Sequence, residues 1–155
     1  MADASAALGA PVVLPDTPLI GPSDVGSVTK NCPGPWGKTC EITIKFLATG
    51  TVGTTGATGP SDSGDPVGYR VQIRYSLGGY SNPLAEYQAS VGQRGSVVYL
   101  SGIPALLLPQ DPNDTVGTAA YIEFQLNGLT ISVVERDPHG PTARSIAQSI
   151  VDRSK

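Results

Sequence analysis

From Ala120 onward apolar residues take every second place. Ala120, Ile122, Phe124 and Leu126 alternate with Tyr121, Glu123 and Gln125, and after Asn127-Gly128 the alternation resumes at Leu129, Ile131 and Val133. Two period-two runs separated by Asn-Gly predict a β-hairpin with a type I′ turn, because both turn residues need positive φ and Asn and Gly tolerate it best. A two-residue turn pairs Leu126 with Leu129, Phe124 with Ile131 and Ile122 with Val133, so six apolar side chains share one face of the ribbon. Gln125, Thr130, Glu123 and Ser132 take the other face, which is expected to be solvated. After Asp137-Pro138-His139-Gly140-Pro141 the period changes. Ala143, Ile146, Ala147, Ile150 and Val151 fall at i, i+3, i+4, i+7 and i+8, which predicts an amphipathic helix over 141–153 with Pro141 in its first turn. The simplest burial for a one-faced hairpin and a one-striped helix is against each other, with the rest of the chain extending the sheet.

Earlier in the chain the same alternation predicts strands at Glu41 to Leu47, with Ile42, Ile44 and Phe46 inward, and at Val67 to Leu77, with Tyr69, Val71, Ile73 and Tyr75 on one face. These two are expected to pair. Ser96 to Leu100 reads as a strand that Gly102-Ile103-Pro104 breaks, and Ala105 to Leu108 as a short one after it. Tyr80 to Ser90 fits either a short helix or an irregular strand. Residues 1–24, paced by Pro11, Pro15, Pro18 and Pro22, are expected to form an extended arm whose apolar pieces, Leu19-Ile20 among them, lie on the domain or on a neighbour, with a loose terminus as the alternative. Residues 50–68 hold almost nothing apolar and are expected to be a flexible glycine-rich loop; the Gly-x-y triplets at Gly50, Gly53, Gly56 and Gly59 are too few for a collagen-like segment. The expected fold class is α+β, mainly β: an antiparallel sheet, or a sandwich of two, packed by one C-terminal helix, in a single domain over 25–155.

Composition narrows the function. With 155 residues, 19 Gly, 14 Pro and 15% charged residues, the chain suits one turn-rich domain. A net charge of −3 and scattered Lys and Arg are unlike the basic footprint of a nucleic-acid binder, and no apolar run approaches a bilayer's thickness. No nucleic-acid partner and no membrane span are therefore expected. The N-terminus lacks the basic and apolar regions of a secretory signal, so either the chain stays where it is made or a signal has been cut away.

Candidate chemistry is sparse. His139 is the single histidine, which excludes a multi-His metal site, and with Asp137 two residues away in a Pro/Gly turn it makes no triad with Ser145. Gly37-Lys38-Thr39 lacks the first glycine of a phosphate loop, since Cys32 stands there, and Pro33 and Pro35 remove N–H donors. Asn113-Asp114-Thr115 fits a glycosylation acceptor and indicates exposure. Thr142 and Arg144 at the helix start suit a cap or an anion, the cap being favoured. No catalytic residue, cofactor or metal site is expected. Cys32 and Cys40 flank a Pro/Gly turn and are expected to form a disulfide, with buried thiols as the alternative; a disulfide implies an oxidising compartment. Trp36 on that loop, Tyr80, Tyr87, Leu19 and Ile20 are the candidate interaction residues. Tyr69, Tyr75 and Tyr99 complete a tyrosine set that serves either as contact surface or as sheet filling.

Val97-Val98-Tyr99-Leu100, Gly102-Ile103-Pro104-Ala105, the Asn127-Gly128 hairpin and the Ala/Ile helix together resemble the β-meander-plus-helix ending of exported lipoproteins and sensor domains of actinobacterial cell envelopes, over about residues 90–155. The resemblance implies extracytoplasmic binding or scaffolding and brings no catalytic residues. The expectation is a non-enzymatic extracytoplasmic or secreted module of a cell envelope with a protein partner. Its alternative is a structural protein of a virion or other multi-subunit assembly, whose arm and glycine loop contact like subunits.

Overall fold

In the computed structural model the described residues are 2–16, 25–31, 40–47, 69–91, 95–109, 120–136 and 142–155. In chain order the elements are α1 (Ala2–Leu8), β1 (Val25–Asn31), β2 (Glu41–Leu47), β3 (Tyr69–Leu77), α2 (Pro83–Ser90), β4 (Ser96–Leu100), β5 (Ile103–Leu108), β6 (Ala120–Leu126), β7 (Leu129–Glu135) and α3 (Ala143–Arg153). The strands form one seven-stranded antiparallel sheet in the order β1-β2-β3-β7-β6-β5-β4, rather than the two sheets of a sandwich. β2 pairs with β3 as expected, and β3 pairs with β7, so the chain must cross three strands after β3 to begin β4 at the far edge.

The β6–β7 register is the one the sequence dictates. Leu126 faces Leu129, Phe124 faces Ile131 and Ile122 faces Val133, with Asn127 and Gly128 at φ of 53° and 78°. The shared face continues through Ile73 and Tyr75 of β3 to Ile44 and Ile42 of β2, every one of them buried. α3 covers this inner face over β4, β6 and β7. Ile146, Ile150 and Val151 are at most 1% exposed, and removing three such side chains from water stabilises by about 5–9 kcal/mol before chain entropy is subtracted. The helix begins at Ala143, later than expected, because Thr142 caps it: its Oγ1 accepts from Ser145 N at 3.1 Å. Pro141 thus precedes the cap, outside the described residues. At the other end Gln148 Nε2 and Ser101 Oγ donate to Asp152 Oδ1 at 3.0 and 2.9 Å, holding that carboxyl below its ordinary range and tying α3 to the β4–β5 turn.

Two local expectations are corrected. Residues 2–8 are helical rather than part of an extended arm: Ala-rich sequence favours helix once Ala4 and Leu8 find the core beside β2. The segment after it does run extended, but along its own domain. Val12 is buried, Tyr75 Oη donates to Val13 O at 2.5 Å, Asp16 N donates to Ser149 Oγ at 2.7 Å, and Arg153 Nη1 lies 3.7 Å from Asp16 Oδ1. Second, Gly102-Ile103-Pro104 does not break the strand. Ser101 and Gly102, at φ of 49° and 90°, make a second tight turn, and β5 starts at once with Ile103 opposite Leu100. Such a turn is flanked by a hydrogen-bonded pair, so Tyr99 and Pro104 form a non-bonded pair and the proline's missing N–H faces β6. The β5–β6 ladder accordingly begins one residue later, at Ala105. β1 arises where the sequence shows little alternation: pairing with β2 makes Val25–Asn31 a strand.

No helix of the described residues is long and apolar enough to cross a membrane.

Candidate interaction surface

The outer face of the sheet is where polar side chains gather, and it is less open than the alternation implies. Thr43, Lys45 and Ser132 are buried, and Glu123, Gln125 and Thr130 are half-buried, which corrects the expectation of a solvated face. The cover over β4 and β5 is α2. Its start is set by Asn82, whose Oδ1 accepts from Ala85 N at 3.2 Å, with Pro83 in the first turn. Beneath it Tyr87 is 1% exposed and meets the Tyr80 ring edge to face, centroids 5.9 Å apart and planes at 87°. Tyr121 Oη donates to Glu123 Oε2 in a short hydrogen bond. Burial first, then this bond, pushes the Tyr121 phenol well above its ordinary value, and burial with the Glu123 charge does the same to Tyr87. The Gln125 amide, oriented to satisfy both groups, accepts from Tyr80 N at 2.5 Å and donates to Tyr80 O at 3.3 Å. This pins the β3–α2 link to the sheet, against Gly79, where any Cβ would collide with that amide. Neutral phenols around one carboxylate make a hydrogen-bonding cluster rather than a base or a nucleophile. Its residual feature is the Tyr87 hydroxyl, buried with no partner among the described residues.

Of the expected interaction residues, Tyr80 is 44% exposed and Tyr87 is buried, so Tyr80 presents what surface that pair has. Leu19, Ile20, Trp36 and Cys32 lie outside the described residues, as do residues 50–68, His139 and Asn113. Cys40 is half-buried against the core and is not a free thiol. Among the other tyrosines Tyr75 is core, while Tyr99 is 54% exposed. The anion reading of the α3 start gives way to the cap, since Thr142 Oγ1 already takes the Ser145 N–H. Beside it Leu107, Pro109, Ala120, Thr142, Ala143 and Arg144 line a mainly apolar cleft of about 280 Å³.

The sheet's two edges differ. β1 ends the sheet with exposed Lys30, opposite Ile42 and so on the inner side, and with an irregularity between Val25 and Ser27. Both are devices that blunt an edge against foreign strands. β4, Ser96-Val97-Val98-Tyr99-Leu100, has no charge, no proline and no bulge. Two exposed large apolar side chains belong to it and its neighbour, Tyr99 on β4 and Leu108 at the end of β5. Reading the sequence did not single out this edge, although Ser101-Gly102 between two apolar runs was a visible hairpin signal.

No protein family pattern, curated protein or solved structure matches the chain.

Proposed function

We propose that this chain is a non-enzymatic scaffolding or binding module that works through protein contact at the β4 edge of its sheet, in an extracytoplasmic setting where Cys32 and Cys40 are bonded. The observation that carries the contact reading is the contrast between a blunted β1 edge and a β4 edge that no described strand pairs, with Tyr99 and Leu108 exposed beside it. The resemblance to cell-envelope domains and the absence of a free thiol at Cys40 support the setting. A second reading, a structural subunit of a virion or similar assembly, draws on the same edge, because an open strand joins like subunits as readily as foreign ones. It loses residues 2–16 as a contact arm, since Val12, Val13 and Asp16 are engaged on their own domain.

The test places a photo-crosslinking benzoylphenylalanine at position 99, and separately at Lys30, in the cells that make the protein. A covalent adduct from position 99 and none from Lys30 is expected; no adduct from position 99 would overturn the contact reading. Labelling the native protein with a thiol-reactive mass tag is expected to add nothing, and two tags per chain would remove the extracytoplasmic setting.

A further inference from the structure

We infer that the partner of the β4 edge is a second copy of this chain, joined as an antiparallel strand pair about a twofold axis at Val98. The inference rests on the contact reading above and goes further by naming the partner and the register.

The hairpin fixes which groups are free. Leu100 and Ile103 flank the two-residue turn and exchange hydrogen bonds, so Val98 is again bonded to Ala105, and the N–H and C=O groups of Val97 and Tyr99 point away from the sheet. Among the described residues no strand receives them. Antiparallel pairing of two copies about Val98 sets Val97 against Tyr99 and Tyr99 against Val97, and these pairs each exchange two hydrogen bonds. Ser96 then meets Leu100, and the whole strand overlaps. Moving the axis by one residue either way brings Gly95 or the turn residue Ser101, at φ of 49°, into the pairing and shortens it.

The side chains agree with the backbone. Val97 and Tyr99 lie on the outer face, opposite Leu106 and Pro104, so each bonded pair also sets a β-branched side chain against an aromatic one. The two Val98 side chains meet on the inner face, and no charge is brought together anywhere along the strand. An edge that complements itself without charge or bulge is what an isologous interface requires. Five residues a side and a narrow apolar strip place the contact at the small end of interface sizes, below about 1,200 Å², so a weak, concentration-dependent dimer is expected.

The purified full chain tests this by light scattering behind size exclusion, from about 5 to about 200 µM. The mass is expected to rise from 15.9 kDa toward twice that value. Tyr99→Lys, at a position already more than half exposed, is expected to stay at one chain mass throughout while melting as the parent does. Val98→Cys is expected to give a covalent dimer on mild oxidation, because residues facing each other across a non-bonded antiparallel pair are about 4.5 Å apart at Cα, within disulfide reach. Ser96→Cys, which faces Leu100, is expected not to. A single-chain mass at the highest concentration, or a dimer that Tyr99→Lys leaves intact, overturns the inference. A cellular crosslink from position 99 whose mass is not twice that of the chain also overturns it, yet leaves the contact reading standing; no crosslink at all removes both.

Discussion

The two faces of one sheet are stabilised differently. On the inner face Ile44, Ile73, Val133, Ile122 and Phe124 run side by side across four strands, all with no exposed area, under a helix whose apolar stripe is equally dry. On the outer face the side chains are Thr43, Ser132, Glu123, Tyr121 and Gln125, partly covered by a short helix and held by named hydrogen bonds. Dispersion and water exclusion are non-directional, so the inner face depends on volume and register. Hydrogen bonds need particular partners, so the outer face depends on where α2 lies. Volume changes therefore tell most on the inner face, and a lost hydrogen bond tells wherever the partner left behind is buried.

The sharpest way to break that contrast is Phe124→Ala, which leaves a void at the centre of the inner face. It is expected to cost about 3–5 kcal/mol, read as a lower denaturant midpoint with little change in slope.

Removing hydroxyls sharpens it. Tyr75→Phe strands the Val13 carbonyl that its phenol serves and is expected to cost about 1–2 kcal/mol, with faster proteolysis ahead of Asp16. Tyr87→Phe deletes a buried hydroxyl that has no partner, and is expected to be neutral or to stabilise by up to about 1 kcal/mol. Opposite signs for one chemical change would separate a satisfied phenol from an unsatisfied one; equal losses would refute the assignment.

Alkaline titration tests the same phenols together. Tyr75, Tyr87 and Tyr121 are held above the ordinary tyrosine value of 10.0, burial being the first cause in each. The unfolded chain therefore loses these protons first, so stability is complete below about pH 10 and falls as the pH rises toward the folded values. Denaturant midpoints measured from about pH 9 to 11 are expected to decline, and Tyr87→Phe to flatten the decline. Smallest is Arg153→Ala: its contact with Asp16 is half exposed, and a loss of no more than about 0.5 kcal/mol is expected.

How much of this was legible beforehand depends on the kind of signal. The Asn127-Gly128 register and the stripe of α3 follow from periodicity, because alternation and a two-residue turn leave one register that buries the apolar set, whereas the expected β2–β3 pairing gained its register only in the sheet. The helix at Ala2–Leu8 was hidden by the prolines after it, and β1 by its weak alternation, since both are completed by contacts distant in sequence. The candidate edge was hidden for a similar reason. Tyr99 was visible as one tyrosine among several, but only the sheet order makes β4 the last strand and so leaves Tyr99 outside it while Tyr75 and Tyr87 are enclosed.

The sequence by itself determined which side chains share a face, because the two-residue repeat of a strand and the 3.6-residue repeat of a helix are properties of the backbone. Tertiary structure alone decided that β3 and β7 became neighbours, where α2 came to rest, and hence which polar groups were enclosed and which of the described strands ends the sheet. Those outcomes arise from contacts between segments tens of residues apart, for which local periodicity carries no signal.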